Sequence, residues 1–227
     1  MKLDILAFAA HPDDVEIACS GTVLKHINAG YKVGVIDLTR GELGSRGSAE
    51  IRDIEAANAA KFMGLAIREN LGFKDGFFQN DEAHQMKVIE MIRKYKPEKV
   101  LCNAISDRHP DHGKGSELVS VSSFLSGLVK IDTEQEHWRP KAVYHYIQDY
   151  YIKPDFVVDI TDFMDQKIEA IQCFKSQFYN PNSNQPETPI SSKSFLDFIE
   201  ARAREFGRPA GYKLSLIHIS EPTRRHL

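Results

Sequence analysis

Two short apolar runs, each delivering a histidine-proline-aspartate turn, constrain this chain more than any other feature. Leu3-Asp4-Ile5-Leu6-Ala7-Phe8-Ala9 leads into Ala10-His11-Pro12-Asp13-Asp14, and Lys99-Val100-Leu101-Cys102-Asn103 leads into Asp107-Arg108-His109-Pro110-Asp111-His112-Gly113. A β-rich run that ends near proline and passes into a helical pattern, as at Val15 to Ala29, reads as strand, turn and helix. In an open α/β sheet the carboxyl ends of the strands are where ligands bind. Taken alone, the first turn has a simpler account, with Asp13 or Asp14 capping the next helix and His11 half buried. Two strand ends with the same constellation are hard to attribute to chance, because buried imidazole and carboxylate groups need partners.

The rest of the chain repeats this alternation. Lys32 to Thr39 predicts a second strand, followed by the glycine-rich loop Arg40-Gly41-Glu42-Leu43-Gly44-Ser45-Arg46-Gly47-Ser48. That loop lacks the spacing of a dinucleotide or P-loop phosphate cradle, which argues against nucleotide binding. Ser48 caps a predicted helix over Ala49 to Met63, in which Arg52 is most simply a solvated charge. Ala66 to Leu71 is a short strand, and the loop from Gly72 to Asp81 carries Phe77 and Phe78, read as packing. Helices are predicted over Ala83 to Tyr95, from about Gly115 to Val129, over Phe163 to Phe174 and over Ser194 to Phe206. Further strands are predicted at Ala142 to Ile147 and Phe156 to Ile160. His145 alternates with apolar neighbours and reads as a satisfied sheet histidine. Asn180 to Ser192 is a loop long enough to be functional. Strands that are almost wholly apolar, alternating with helices, predict a Rossmann-like α/β fold: a parallel-dominated sheet with helices on both faces.

Length and composition narrow the function. The 227 residues suit one domain, and 42% hydrophobic with 27% charged residues is a globular composition. A net charge of −3, from 29 basic and 32 acidic residues, argues against a general nucleic-acid or membrane-surface binder. Cys19, Cys102 and Cys173 are scattered in apolar segments, without the spacing of a thiolate zinc site or a disulfide framework. No signal peptide and no membrane-length apolar run is evident, and the expected location is the cytoplasm.

A catalytic zinc site takes three nitrogen or oxygen ligands and keeps one position for water. His11, Asp14 and His112 supply that set from two strand ends. Fe²⁺ on two histidines and a carboxylate competes, whereas Mg²⁺ prefers an oxygen-rich shell. Asp13 is then left to accept a proton from water, and Asp111 to orient and charge the His109 imidazole for a developing oxyanion. A non-catalytic metal-stabilised sugar- or nucleotide-binding protein has no use for the spare Asp13. A dinuclear phosphoesterase would want more carboxylates than the turns offer.

These residues resemble a known family. The two turns, together with Leu38-Thr39-Arg40-Gly41-Glu42, resemble the zinc-dependent N-acetylglucosaminyl deacetylases of the LmbE-like, or PIG-L, family. Arg40 to Gly47, Trp138 to Tyr146 and Lys175-Ser176-Gln177-Phe178 resemble, more narrowly, its bacillithiol-biosynthesis branch. The resemblance covers about residues 3 to 212. It implies zinc on His11, Asp14 and His112, Asp13 as general base, and His109 as oxyanion stabiliser supported by Asp111. It also implies N-acetylglucosaminyl-malate as substrate and a homo-oligomer, trimer or hexamer. Arg52 and Arg108 are candidate contacts for an anionic sugar conjugate. Deacetylation of another N-acetylglucosamine conjugate is the alternative. From Ser215 to Leu227 the chain does not resemble the family and looks like translated adapter or vector sequence. The expected domain is therefore 1–214, with 215–227 a non-native tail.

Overall fold

The computed structural model describes residues 1–220. In chain order the elements are β1 (Ile5–Ala9), α1 (Asp14–Ala18), α2 (Ser20–Asn28), β2 (Val33–Thr39), α3 (Ala49–Met63), β3 (Ile67–Phe73) and α4 (Glu82–Tyr95). Then follow β4 (Lys99–Cys102), α5 (Pro110–Leu125), β5 (Ala142–Tyr146), β6 (Phe156–Asp159), α6 (Met164–Gln172), α7 (Lys193–Gly207) and β7 (Ser215–Ser220). They form one seven-stranded sheet of order β3-β2-β1-β4-β5-β7-β6. The first five strands in that order are parallel, and β7 runs antiparallel to both β5 and β6.

The pleat of β1 divides the core. Leu6 and Phe8 point to one face, joining Ile36 and Leu38 of β2 under Val88 and Ile92 of α4 and Leu118 and Val119 of α5. Ile5, Ala7 and Ala9 point to the other, with Val33 and Val35 of β2, Val15 and Cys19 at α1, Val23 of α2 and Ala170 of α6. Both faces of β1 are thus covered, which is why its five residues are all buried and read as a continuous apolar run. A third cluster ties α3, α6 and α7 together through Ala56, Ala59, Ile171, Phe174, Ile199 and Ala203.

The chain proceeds from β1 outward to β2 and β3, then returns across β1 to β4. The order reverses between β1 and β4, and a crevice opens there outside the strand ends. Both histidine-bearing turns leave those two strands.

Some boundaries differ from the sequence-based expectation. The helix expected over Val15 to Ala29 is two helices, because the backbone turns out of helical geometry at Cys19 (φ −132°, ψ 9°). α5 begins at Pro110 rather than near Gly115: His109 is the N-cap and proline occupies the first turn, where its missing N–H costs nothing. Part of the stretch expected as a tail after residue 214 lies in the sheet. Ser215 to Ser220 forms β7, hydrogen-bonded between β5 and β6, with Leu216 and His218 buried. Leu216-Ile217-His218-Ile219 is rich in strand formers, so it can complete the sheet whatever its origin. Residues 221–227 of the expected tail lie outside the described residues.

Candidate active site

At the end of β1 the chain makes a tight turn in which the Asp14 amide donates to the His11 carbonyl (3.2 Å) and the Ile17 amide to the Asp13 carbonyl (2.9 Å). Asp13 pays for this turn with φ +120°, a region that residues other than glycine rarely adopt. The turn places Asp13 and Asp14 on different sides. Asp14 faces the crevice: Oδ2 accepts from the His11 amide and from Asn103 Nδ2, both at 2.9 Å, and Oδ1 accepts from Gln148 Nε2 at 3.0 Å. Asp13 faces Arg52, whose Nη2 lies 2.9 Å from Asp13 Oδ2 and also donates to the Pro12 carbonyl.

Arg52 is therefore not the solvated charge that its place in a helix suggests. It is 4% exposed, and its guanidinium lies against Gly41, where φ is +66° and a Cβ would collide with it. Only glycine meets both demands at that position. Arg52 and Arg108, the candidate substrate contacts, both line the cleft, and each is already engaged, Arg108 with Asp149 Oδ2 at 2.5 Å.

From β4 the second turn brings His109 and His112 to the same place. The ring centroids of His11 and His109 are 4.6 Å apart, those of His11 and His112 5.7 Å, and those of His109 and His112 5.3 Å. His112 Nε2 lies 3.1 Å from Asp14 Oδ1, and His11 Nδ1 lies 3.7 Å from Asp14 Oδ2. Two ligands on one tetrahedral zinc, with bonds of about 2.0–2.1 Å, are about 3.3–3.4 Å apart; each contact is close to that value, but they use different Asp14 oxygens, and Asp14 is in neither of the donor sets that converge most closely. One nitrogen from each of His11, His109 and His112 falls within 4.8 Å of the others, and so do donor atoms of His11, Asp75 and Asp111.

The electrostatics favour positive charge here. Burial opposes protonation of His11, but hydrogen bonds to Asp111 and Asp75 and the charge of Asp14 push it up to about 10. Burial likewise opposes His112, and Asp14 and Asp107 push it up to about 9. Burial works against Asp14 too, yet the charge and hydrogen bond of His112, then His11, hold its carboxyl well below the usual range. Asp13 goes the other way: burial pushes it up to about 7, with Arg52 opposing and Asp14 adding. Two adjacent carboxylates thus have opposite tendencies, Asp14 favouring the ionised form and Asp13 the protonated one.

His109 behaves differently from the expectation in one respect. Its Nδ1 accepts from the Asp111 amide (3.3 Å), whereas the Asp111 carboxylate accepts from the Gly76 amide (2.8 Å) and meets Lys114 Nζ (3.0 Å). Asp111 thus meets His109 through its backbone amide, because Pro110 starts the helix and places Asp111 in its first turn, while its carboxylate charge favours the protonated ring without outweighing burial. With Nδ1 accepting, the ring proton is on Nε2. Burial, then the nearness of His11 and His112, holds the His109 imidazole below its ordinary value.

Sequence reasoning passes over Asp75, Asp107, Asn103 and Gln148, all of them in contact with the histidines or Asp14. Asp107 lies within the second turn, while the others have no spacing to mark them. His145 is a core histidine as expected, 3% exposed and bonded around Nδ1 to Ser116 Oγ at 2.9 Å. The cleft encloses about 180 Å³ and is lined by the acidic and histidine side chains together with Phe195, Phe198 and Ile199 of α7.

Comparison with known proteins agrees with this architecture. A conserved protein of Thermus thermophilus has a solved structure that superposes with TM-score 0.88 at 33% identity, covering 99% of this chain and 97% of that one. The diacetylchitobiose deacetylase of Thermococcus kodakarensis is 27% identical over 190 residues, 77% of this chain and 70% of its own length. The 4-oxalmesaconate hydratase of Pseudomonas putida is 24% identical over 188 residues, 76% of this chain and 73% of its own. The model of the family described as PIG-L, GlcNAc-PI de-N-acetylase, matches residues 6–122, half of the chain and both histidine-bearing turns. The chain belongs to the PIG-L family.

Proposed function

We propose that the protein is a zinc-dependent hydrolase that removes acetate from an N-acetylglucosamine conjugate, with N-acetylglucosaminyl-malate as the substrate. The observation that carries the reading is the division of labour at one turn: Asp14 belongs to the histidine cluster, while Asp13, one residue away, is held beside it by Arg52. A purely structural metal site has no need of that second carboxylate.

His11, Asp14 and His112 would hold the cation, which supplies polarisation of the acetyl carbonyl and lowers the pKa of water to about 7. Asp13 takes the proton of the attacking water as the new C–O bond forms. Arg52 fixes the Asp13 carboxylate through Oδ2 and keeps its position against the Pro12 carbonyl. His109, with its ring proton on Nε2, donates to the oxyanion. The C–N bond then breaks, and the proton held by Asp13 goes to the leaving amine, giving acetate and the free amino sugar. Arg108 at the cleft rim is the group for a malate carboxylate, exchanging Asp149 for the substrate.

The oligomer, trimer or hexamer, implied by the resemblance and the cytoplasmic location expected from the cysteines and the lack of a signal peptide belong to the same proposal. No helix among the described residues is long and apolar enough to cross a membrane. The similarity to a hydratase supports a second reading, addition of water to a carbon–carbon double bond by the same base. One assay separates them: acetate release from N-acetylglucosaminyl-malate, from N-acetylglucosamine and from diacetylchitobiose, with zinc added or chelated. Zinc-dependent acetate release fastest from the malate conjugate is the expected result. Release from none of the three would overturn the deacetylase reading.

A further inference from the structure

Two buried carboxylates at the centre have no part in the reaction as derived: Asp75, from the loop after β3, and Asp107, from the loop after β4. Each grips one histidine at the ring nitrogen opposite Asp14. His11 Nε2 lies 3.1 Å from Asp75 Oδ1, while its Nδ1 is the nitrogen toward Asp14. His112 is reversed: Nδ1 meets Asp107 Oδ2, and Nε2 is the nitrogen toward Asp14. An ionised carboxylate only accepts hydrogen bonds, so when a cation takes up one lone pair of each ring, the nitrogen gripped by Asp75 or Asp107 keeps its proton and the nitrogen toward Asp14 is the one that gives its proton up. We propose that Asp75 and Asp107 are positioning residues that select the ligating atoms, so that the cation meets Nδ1 of His11 and Nε2 of His112. The proposal rests on the metal-centre reading above.

Both carboxylates are themselves fixed. Asp75 is 5% exposed; its Oδ2 accepts from the Leu43 amide (2.9 Å), and its own amide donates to Glu42 Oε1 (2.8 Å). Asp107 Oδ1 accepts from the amides of Asp149 (2.9 Å) and Tyr150 (2.8 Å). The glycine-rich loop after β2, which lacks phosphate-cradle spacing, thereby acquires a role, because Glu42 and Leu43 lock the aspartate that orients His11. Asp111 also approaches His11 Nε2, but at 3.5 Å, with its oxygens engaged by Gly76 and Lys114. Lys114 supplies the positive charge on that side, which argues against a second cation among His11, Asp75 and Asp111.

Outer partners of metal-bound histidines typically contribute 10–100-fold in metal affinity. The test is the zinc dissociation constant of the full chain, measured by chelator competition for the parent protein, Asp75→Ala, Asp75→Asn and Asp107→Asn. Asp75→Ala should weaken zinc by about 10–100-fold. Asp75→Asn, whose carbonyl still accepts the Nε2 proton, should lose less, and Asp107→Asn should also weaken zinc. Because Asp107 anchors two backbone amides, long-range proton–nitrogen correlation spectra of the zinc-loaded parent protein give an arm free of folding effects. They should show the proton on Nε2 of His11 and on Nδ1 of His112. Zinc affinity unchanged in both Asp75→Ala and Asp107→Asn, or protons on the opposite nitrogens, would overturn the proposal. Asp14→Ala separates the two readings: if it binds zinc as tightly as the parent, the metal centre itself is misassigned, whereas loss there with full affinity in Asp75→Ala defeats only the positioning role.

Discussion

Asp13 is where backbone, burial and charge all run against ordinary stability. It is 4% exposed, at φ +120°, and its carboxyl is pushed by burial toward about 7. Strain of this kind costs about 1–3 kcal/mol and persists where the surroundings over-determine it; Arg52 and the first turn of α1 do so here. His112 has the opposite character, since Asp14 and Asp107 bind both its ring nitrogens and hold it ready. If it is one of three protein ligands, as proposed, its loss should be felt in binding: His112→Ala is expected to lower zinc content together with turnover, by elemental analysis after dialysis. Stoichiometric zinc in that variant would refute the ligand assignment. His11, Asp13, Asp14 and His112 are legible in the sequence because residue type and position at a strand end coincide. Arg52 reads there as a solvated helix charge, since its partner Asp13 is 39 positions away and no local period records that pairing. Asp75, Asn103 and Gln148 are single polar residues in loops or at a strand end, and such residues carry no periodic signal.

Among the elements, the break between α1 and α2 shows what helix periodicity conceals. Apolar spacing continues through Cys19, which predicts a single helix, but the break leaves carbonyls that need donors. Lys167 of α6 supplies them: fully buried, it donates to the Glu16 carbonyl at 3.0 Å and to the Ile17 carbonyl. Ser20 Oγ adds a bond to the Glu16 carbonyl at 2.6 Å. These bonds hold the end of the short helix that begins at Asp14. Burial lowers the Lys167 amine from its ordinary 10.5 to about 7. Between those values the unfolded chain binds a proton that the folded one does not, so folding becomes more favourable as pH rises through the window. Relative to Lys167→Met, the parent protein should gain stability between pH 7 and pH 9, by at most about 1.4 kcal/mol per pH unit. Denaturant titrations at the two pH values measure this, and a difference independent of pH would mean that the amine stays charged when buried. The start of α5 escapes the sequence for a related reason, because proline looks like a boundary where it is the first helical residue.

At the scale of the whole molecule, the strand order explains why two turns 93 residues apart in their first contact, Ala10 with Asn103, form one site. The reversal between β1 and β4 puts their ends side by side, and everything packed on the two faces of β1 keeps them there. This parallel architecture is readable from apolar runs alternating with helices. The antiparallel side is not, since β7 begins at Ser215, where the family resemblance that could guide its assignment has ended. It inserts between β5 and β6, so removing it would take out an internal strand rather than a free end. The sheet thus delivers a histidine cluster with Asp14 in contact with it and Asp13 turned aside to Arg52. The most direct test of the proposed function is Asp13→Asn, with zinc content and the initial rate of acetate release measured on the same preparation. The variant should retain full zinc while its rate falls by about 10²–10⁴-fold, the usual worth of general acid–base catalysis. Near-normal acetate release from fully zinc-loaded Asp13→Asn would contradict the account.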